Sequence, residues 1–316
     1  MNDYSEVVKR INRAHDVAIY CHTNPDGDAL GSMLALGFAL ENHGKSVSMY
    51  CDTPISKRNA CFKGSDRISL PDSKQHELGI SVDCSDLDRL GGSVKSFLSC
   101  KSQIAIDHHS SFKRFTELCI VEKDACACAQ IIFNILSKMK FIDDRVAELL
   151  FAGIVTDSGN FAYSSVTPET HTIAATLMEY DFDAADTIYK VFRSTSIERF
   201  DLKRRVLAKA KFYLDNQVGI IVFNAKDFLE THTSTADTEG IINELIDIDN
   251  VKVAYALSEV GDKNFKLSVR TKNPIDASEI AATFGGGGHK NAAGCRVNGY
   301  LEDVIEKIVK LAKDRI

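Results

Sequence analysis

The chain has 316 residues, of which 44% are hydrophobic and 26% are charged, and its formal net charge is −6. These proportions exclude a disordered chain and a fibrous repeat, and the length favours two domains. No apolar run approaches the roughly 20 residues that a bilayer-spanning helix needs, so no membrane span is predicted. The N-terminal residues, MNDYSEVVKR, lack the apolar core of a secretory signal, which predicts a cytoplasmic protein.

The nine cysteines have no regular spacing, and a chain of this length can bury an ample core without disulfides. We therefore interpret most of them as small buried thiols. Cys126 and Cys128 form a C-x-C pair with no second pair near it, which argues against a zinc site there. The negative net charge argues against a surface that follows long duplex nucleic acid, because such a surface needs many Lys and Arg residues.

The first part of the chain alternates short apolar runs with a helical stretch, which is typical of a parallel sheet with crossover helices. The predicted strands are 17–21, 47–51, 78–82 and 103–106, and the first long helix is 29–43. The last two of these strands are each followed by an aspartate, Asp83 and Asp107. Ligands of open parallel sheets bind at the carboxyl ends of the strands, so a site is expected at these side chains.

The remainder of the chain is predicted to be helical and then mixed. Between residues 124 and 213 the predicted helices are 144–155, 168–180, 184–192 and 196–213, with no strand among them. A second α/β pattern follows, with strands at 218–223, 251–259 and 265–271 and an amphipathic helix from Leu301 to Leu311. We therefore predict an α/β fold with a parallel-sheet domain over 1–190, a helical connector over 191–215 and a smaller α/β domain over 216–316.

Three potential metal ligands follow the first predicted strand within seven residues. They are His22, Asp26 and Asp28, in the segment Cys21-His-Thr-Asn-Pro-Asp-Gly-Asp28. The two aspartates are two residues apart and could ligate different ions rather than one. Taken alone, the segment also fits a helix N-terminus capped by Asp28 with His22 as a surface histidine. Other segments decide between these interpretations.

Further carboxylates and imidazoles occur where other elements end. They are Asp83, the run Asp107-His108-His109, and Asp157 in Thr156-Asp-Ser-Gly159. Each of these residues alone fits a turn or a satisfied polar group, but their joint occurrence favours a metal site. A set of carboxylates and imidazoles without thiolates suits Mn²⁺, Mg²⁺ or Co²⁺ better than structural zinc.

Together these segments resemble the four motifs of the DHH phosphoesterase superfamily. The segment Gly285-Gly-Gly-Gly-His289-Lys-Asn-Ala-Ala-Gly294 resembles the glycine-rich signature of its DHHA1 substrate domain. Five separated motifs in the family's order make the resemblance specific, and it spans residues 15–297. Within this superfamily, the compact size of the chain resembles that of the NrnA-like oligoribonuclease and phosphoadenosine-phosphate phosphatase group. The resemblance implies a DHH catalytic domain over 1–190 and a DHHA1 domain over 216–316.

The resemblance also implies roles for individual residues. One divalent cation would be held by His22, Asp26 and Asp83, and a second by Asp28, Asp83, His108 and Asp157. Mn²⁺ is expected, with Mg²⁺ or Co²⁺ as alternatives, and the two ions would activate a water molecule so that no protein nucleophile is needed. The catalytic residues would be Asp107, which forms a hydrogen bond to a metal-bound histidine and orients it, and His109, which contacts the scissile phosphate or its leaving oxygen.

For the second domain, the resemblance implies a set of substrate-binding residues, namely Arg270, Gly286, Gly287, Gly288 and His289. The glycines are expected to form a loop whose backbone N–H groups face phosphate oxygens. A flexible linker is the alternative for the glycines, and a solvated charge at a strand edge is the alternative for Arg270.

An aromatic residue and a basic segment each allow two interpretations. Tyr163 either stacks on a base or packs in the core, and the basic segment 203–205 fits a solvated helix better than a nucleic-acid surface.

The function implied by the resemblance is hydrolysis of short oligoribonucleotides, linear dinucleotides and 3′-phosphoadenosine 5′-phosphate in a cleft between the domains. The expected partners are a short RNA or a small nucleotide, with no long duplex nucleic acid and no membrane, and the oligomeric state is left open. A cyclic-dinucleotide phosphodiesterase is the nearest alternative. The alternative from another class is a nucleotide sensor that binds without hydrolysis.

Overall fold

The computed structural model describes residues 4–56 and 58–316. The chain divides into two compact units, and the division falls between Ser194 and Thr195. The first unit contains a five-stranded sheet, and the second contains a six-stranded sheet. The predicted α/β fold class is therefore confirmed.

All strands of the first sheet are parallel. They are β1 (Asp16–Tyr20), β2 (Ser46–Tyr50), β3 (Leu78–Val82), β4 (Ser102–Asp107) and β5 (Leu118–Val121). The helices of this unit are α1 (Ser5–Arg13), α2 (Gly27–Asn42), α3 (Val94–Ser99), α4 (Cys128–Met139), α5 (Asp144–Asp157), α6 (Pro168–Leu177) and α7 (Ala184–Ile188). A π-helical turn, Tyr189–Arg193, continues α7. The strand order is β2-β1-β3-β4-β5.

The order of the strands positions the loops that leave their carboxyl ends. Since β2 and β3 lie on opposite sides of β1, the chain changes direction across the sheet at β1. The segments that follow β1 and β3 then diverge, and open parallel sheets bind their ligands in the resulting crevice. His22 follows β1 and Asp83 follows β3, so both residues lie at this crevice.

Helices α2 and α5 pack closely because glycines lie at their contact. A Cβ atom on Gly31 would lie 2.6 Å from the carbonyl oxygen of Leu149 and 2.9 Å from Cα of Gly153. A Cβ atom on Gly27, one turn earlier, would lie 2.5 Å from Oγ1 of Thr156. The first turn of α2, which carries Asp28, therefore lies against the last turn of α5.

The second unit is built on a mixed sheet. Its elements are α8 (Ile197–Leu207), β6 (Lys211–Tyr213), β7 (Val218–Phe223), α9 (Ala225–Thr231), α10 (Asn243–Ile246), β8 (Val253–Gly261), β9 (Asn264–Thr271), α11 (Ala277–Ala282), β10 (Gly287–His289), β11 (Ala292–Asn298) and α12 (Leu301–Lys313). The order is β10-β11-β9-β8-β7-β6, with β7 and β8 parallel and the other neighbours antiparallel. One face packs on α11 and α12, and the other packs on α8 and α10.

The predicted helix over 196–213 is too long. The helix ends at Leu207, and Lys211–Tyr213 forms β6, which pairs with Val218–Ile220 of β7. The turn between these strands contains three consecutive residues with positive φ, at positions 214–216, which a helix could not include. Pairing with a buried apolar strand outweighs the helical propensity of this segment. Within the predicted connector, Leu202 and Val206 of α8 pack in a core of the second unit.

The glycine-rich segment is only partly the open loop that the sequence predicted. Gly287–His289 forms β10, an edge strand that pairs with Ala292–Gly294 of β11. Backbone pairing of this kind needs no side chains, so glycines do not prevent it.

The described residues include no helix that is both long and apolar enough to cross a membrane. All nine cysteines are free thiols, and seven of them are buried. The interpretation of most cysteines as buried thiols is confirmed.

The glycine contact between α2 and α5 gives a prediction about stability. We expect Gly31→Ala to lower the free energy of unfolding by about 1–3 kcal/mol, because the new methyl group meets backbone atoms that cannot move away. Gly37→Ala, in the same helix, is the matched control. Its methyl group meets the flexible side chain of Met49, and the gain in helix propensity of about 1 kcal/mol offsets this contact. Thermal unfolding in EDTA measures both; equal unfolding temperatures for the two variants would contradict the prediction.

Candidate metal centre

Seven acidic and histidine side chains converge at the carboxyl edge of the first sheet. We call them the carboxylate–imidazole cluster: His22, Asp26, Asp28, Asp83, His108, His109 and Asp157. Their ligand atoms form three groups, each with all atoms within 4.8 Å of one another. The groups are His22–Asp26–Asp83, Asp28–His108–Asp157 and Asp83–His108–His109. The loops after three strands and the ends of α2 and α5 supply these side chains.

Asp26 and His22 are oriented by hydrogen bonds to the backbone. Oδ1 of Asp26 accepts hydrogen bonds from the N–H groups of Asp28 (3.1 Å) and Ala29 (3.0 Å), so Asp26 is the cap of α2. Its Oδ2 lies 3.9 Å from Nε2 of His22. Nδ1 of His22 donates to the carbonyl of Thr23 at 2.8 Å, which leaves the Nε2 lone pair facing the carboxylates. His22 is buried, so the interpretation as a surface histidine beside an Asp28 cap is wrong.

Asp28 is buried and is held by the N-terminus of a second helix. Its Oδ2 accepts from the N–H of Cys128 at 2.6 Å, and its Oδ1 accepts from the N–H of Ala129 at 2.9 Å. These N–H groups begin α4, and the cap residue Ala127 has no side chain that could satisfy them. Burial, and then the nearby carboxylates of the cluster, raise the pKa of Asp28 well above its ordinary value.

Asp83 lies at the centre of the cluster. Its Oδ2 is 3.8 Å from Nε2 of His22, and its Oδ1 is 3.5 Å from Nε2 of His108. Burial favours the protonated form of Asp83, but the facing imidazoles outweigh burial and hold its pKa below the ordinary value. Among the described residues, no group makes a hydrogen bond of normal geometry to Oδ1. A buried carboxylate oxygen in this position can bind a cation.

The two histidines after β4 have different hydrogen-bond partners. Nδ1 of His108 lies 3.1 Å from the carbonyl of Ala125 and donates to it, so Nε2 faces the carboxylates. Nδ1 of His109 donates to Oδ1 of Asp107 at 2.7 Å. Asp107 therefore orients His109, which the resemblance did not assign as a metal ligand, rather than a metal-bound histidine. Burial lowers the pKa of each histidine, but the nearby carboxylates outweigh burial and raise it in both cases. Asp107 is fully buried, and its Oδ2 has no hydrogen-bond partner among the residues described.

Asp157 is the last residue of α5 and is partly exposed. Its Oδ2 lies 3.5 Å from Nε2 of His108. Burial, helped by the charges of Asp26 and Asp83, outweighs the effect of the imidazole and raises the pKa of Asp157 to about 7. Without a further positive charge, ionised Asp28 and Asp157 are therefore unfavourable together.

The cluster fits divalent cations. It offers carboxylate oxygens and imidazole nitrogens, which are ligands for Mn²⁺, Mg²⁺ and Co²⁺. Asp26 and Asp28 belong to different ligand groups. No ligand group found among the described residues contains a cysteine, so Cys126 and Cys128 do not contribute to one.

The predicted substrate residues lie in the second unit. In the register of the sheet, Arg270 of β9 pairs with Ala292 of β11, and Ala292 pairs with His289 of β10. Directly paired residues point to the same face, so Arg270 and His289 share one face with only a small side chain between their positions. Because β9 is an interior strand, the alternative of a charge at a strand edge is wrong for Arg270.

Close packing on β11 requires two of the three glycines of this segment. A Cβ atom on Gly286 would lie 2.3 Å from the carbonyl oxygen of Gly294, and one on Gly288 would lie 2.5 Å from that of Ala292. These two glycines therefore allow the close approach of the segment to β11. A Cβ atom on Gly287 would meet no atom within 4 Å, and Gly287 is exposed. Strand packing does not explain Gly287.

Two residues that hold the turn carrying Asp26 could not be identified from the sequence. Nδ2 of Asn59, a buried residue, donates to the carbonyl of Pro25 at 2.8 Å, and Oγ1 of Thr53 accepts from the N–H of Asn24 at 2.7 Å. Both contacts hold the turn that carries Asp26. They connect residues about thirty positions apart in the chain, so only the folded structure reveals them.

The chain is similar to known proteins over nearly its whole length. Residues 16–154 match the N-terminal domain of the DHH family, and residues 217–316 match the DHHA1 domain. The bifunctional oligoribonuclease and PAP phosphatase NrnA of Thermus thermophilus is 28% identical over 318 residues, which cover 99% of this chain and 93% of that protein. The protein of the same name from Mycoplasma genitalium is 27% identical, with 96% and 98% covered.

A solved structure is also similar over nearly the whole chain. The crystal structure of an exopolyphosphatase-related protein from Bacteroides fragilis has a TM-score of 0.89 and 27% identity, and the match covers 97% of this chain and 94% of that one. The resemblance stated from the sequence motifs is therefore confirmed. The chain belongs to the DHH family of phosphoesterases and carries a DHHA1 domain at residues 217–316.

Proposed function

We propose that this chain hydrolyses short oligoribonucleotides, linear dinucleotides and 3′-phosphoadenosine 5′-phosphate with the help of two divalent cations. One observation carries the proposal: the two oxygens of Asp83 face different ligand groups. Oδ2 faces His22, and Oδ1 faces His108. A carboxylate in this position suits a bridge between two ions. The names of the Thermus and Mycoplasma relatives support the substrate class.

The proposed ligands divide between two ions. His22, Asp26 and Asp83 would hold the first, and Asp28, Asp83, His108 and Asp157 would hold the second. Mn²⁺ is the proposed ion, with Mg²⁺ or Co²⁺ as alternatives, because the ligands are oxygen and nitrogen without sulfur. When bound, such a pair of cations activates a water molecule and stabilises the negative charge of the phosphoryl group.

His109 and Asp107 are proposed to handle the proton of the leaving group. The Nδ1–H of His109 donates to Asp107, so Nε2 is the ring atom that can give a proton to the leaving oxygen. Asp107 would fix the tautomer and the orientation of the ring. Its complete burial supports this role, because a buried carboxylate keeps a stable hydrogen bond to the imidazole.

The second unit is proposed to bind the remainder of the substrate. Arg270 can form two parallel hydrogen bonds to a phosphate group, and His289 lies on the same face of the sheet. Gly286, Gly287 and Gly288 would provide backbone N–H groups. Gly287 is the best supported of the three, since strand packing does not require a glycine at this exposed position.

A panel of substrates tests the proposed function. The purified chain with Mn²⁺ is assayed at one salt concentration on RNAs of 2 to 24 nucleotides, pApA, pGpG, cyclic di-AMP, 3′-phosphoadenosine 5′-phosphate and pyrophosphate, and products are identified by chromatography. We expect kcat/KM to be highest for two to five nucleotides, with release of mononucleotides. A preference for the cyclic substrate would instead favour the cyclic-dinucleotide phosphodiesterase. Tight binding without turnover would favour the sensor, and a steady rise toward 24 nucleotides would contradict the short-substrate proposal.

Because Asp83 faces both ligand groups, its substitution is predicted to weaken the binding of both ions. We expect Asp83→Asn to lower Mn²⁺-dependent kcat by more than about 100-fold, because even indirect changes at metal sites cost 10–100-fold. Isothermal titration with Mn²⁺ should show weaker binding at two sites. Asp66→Asn, at an exposed aspartate, is the control and should titrate like the wild type. Retention of two wild-type Mn²⁺ affinities in the Asp83 variant would disprove the bridging role.

The position of Arg270 predicts an effect on substrate affinity. We expect Arg270→Ala to raise KM about 10- to 100-fold on 3′-phosphoadenosine 5′-phosphate, since a hydrogen bond to a charged group contributes about 1.5–3 kcal/mol. Bis-p-nitrophenyl phosphate, which has no second phosphate, should be much less affected. Arg296→Ala is the control, because Arg296 lies on the neighbouring strand and is exposed. Equal losses on both substrates would place Arg270 at the reacting phosphate instead.

A further inference from the structure

The chain turns sharply directly after Asp157. Gly159, Asn160 and Phe161 have φ values of 58°, 57° and 64°. Residues other than glycine rarely adopt this left-handed conformation unless surrounding contacts hold them. Such contacts are present. The N–H of Asn160 donates to the carbonyl of Val155 at 2.8 Å, and the N–H of Phe161 donates to Oγ of Ser158 at 3.1 Å. The turn is therefore well fixed beside a cluster residue.

The two aromatic residues of this turn have different environments. Phe161 stacks on His171, with ring centroids 5.2 Å apart and an interplanar angle of 23°, and it packs against the core. Tyr163 is 52% exposed, so the alternative that it packs in the core is wrong. Core packing explains Phe161 and leaves Tyr163 unexplained.

The ring of Tyr163 lies with one face on the backbone of Gly159. A Cβ atom on Gly159 would lie 2.4 Å from Cζ of Tyr163, and 2.5 and 2.7 Å from Cε1 and Cε2. Nearly equal distances to three neighbouring ring atoms place the face of the ring, rather than its edge, over Gly159. The N–H of Tyr163 also donates to the carbonyl of Ser158 at 3.0 Å. One face of the ring is therefore covered, so a base can stack only on the opposite face.

We propose that the outer face of Tyr163 stacks on a base of the nucleotide substrate. This inference rests on the proposed function and extends it, because it names the part of the substrate that the first unit recognises. Every nucleobase has a face that stacks on an aromatic ring, so the contact would accept different bases. A substrate with phosphate groups but no base would gain no affinity from this contact. Tyr163 is a positioning residue that selects substrates with a base near the scissile phosphate.

Kinetics on matched substrates test the stacking. The substrates are pApA and its analogue in which hydrogen replaces both bases. We expect Tyr163→Leu to raise KM for pApA roughly 5- to 100-fold with little change in kcat, and Tyr163→Phe to retain wild-type values. On the analogue, the wild type and the Leu variant should have equal kcat/KM. Tyr189→Leu, at a tyrosine of the same unit with 55% exposure, is the control and should behave as the wild type.

Binding measurements separate this inference from the proposed hydrolysis. Equilibrium binding of pApA is measured with Ca²⁺ in place of Mn²⁺, so the result does not depend on turnover. Weaker binding of pApA by the Leu variant, with unchanged binding of the analogue, would support stacking even if the chain hydrolyses another substrate. The stacking inference would be overturned if the Leu variant bound pApA like the wild type, or lost equal affinity for pApA and the analogue. It would also be overturned if Tyr163→Phe bound pApA as weakly as the Leu variant. Failure of the wild type to hydrolyse any substrate would count against the proposed function alone.

Discussion

Buried negative charge is the constraint on which the first unit depends. Burial of a carboxylate costs several kcal/mol unless hydrogen bonds or opposite charges compensate it. The two fully buried aspartates of the cluster, Asp28 and Asp83, have different compensations. The N-terminus of α4 serves Asp28, and three imidazoles serve Asp83. Asp26 is half-exposed and caps α2. The pKa of Asp157, raised to about 7, shows that these compensations are incomplete. Two divalent cations would complete them and change the formal net charge from −6 to about −2.

The contact between α2 and α5 makes this arrangement possible. Glycines at the contact allow the backbones to approach, so Asp28 in the first turn of α2 lies near the C-terminal end of α5. The carboxylate of Asp28 then reaches two N–H groups of α4 and lies 3.9 Å from Nε2 of His108. One residue thus links the packing of three helices to the electrostatics of the cluster. Substitutions at these glycines therefore affect stability and the geometry of the site together.

The sequence predicted the parts of the site that depend on local pattern. Apolar runs that end in aspartate predicted β3 and β4 and, with them, the positions of Asp83 and Asp107. The helix beginning near Asp28 was also predictable, because a turn with proline and glycine precedes it. For the cluster as a whole, the resemblance to a known family supplied the assignment of residues to two ions. That assignment remains a proposal.

The features that the sequence did not predict depend on contacts between distant residues. Lys211–Tyr213 becomes a strand because β7 pairs with it, and Gly287–His289 becomes a strand because β11 does. Asn59 supports the turn at Pro25 through one hydrogen bond across 34 positions. Residue type alone could not indicate this role, since asparagine also fits an ordinary turn. Pairing and long-range hydrogen bonds are properties of the folded chain.

The ion pairs of the basic segment on α8 support the proposal that the substrates are short. Proteins that follow long nucleic acids gain affinity when Lys and Arg residues neutralise successive phosphates and release counterions. On this helix and just after it, four basic side chains already face acidic partners: Lys203 with Glu244, Arg204 with Asp201, Arg205 with Glu230, and Lys209 with Asp227. The local charge is therefore nearly balanced. If the proposed function holds, the further phosphates of a long RNA would meet an acidic protein with little to attract them, so added length would contribute repulsion and conformational cost instead of affinity.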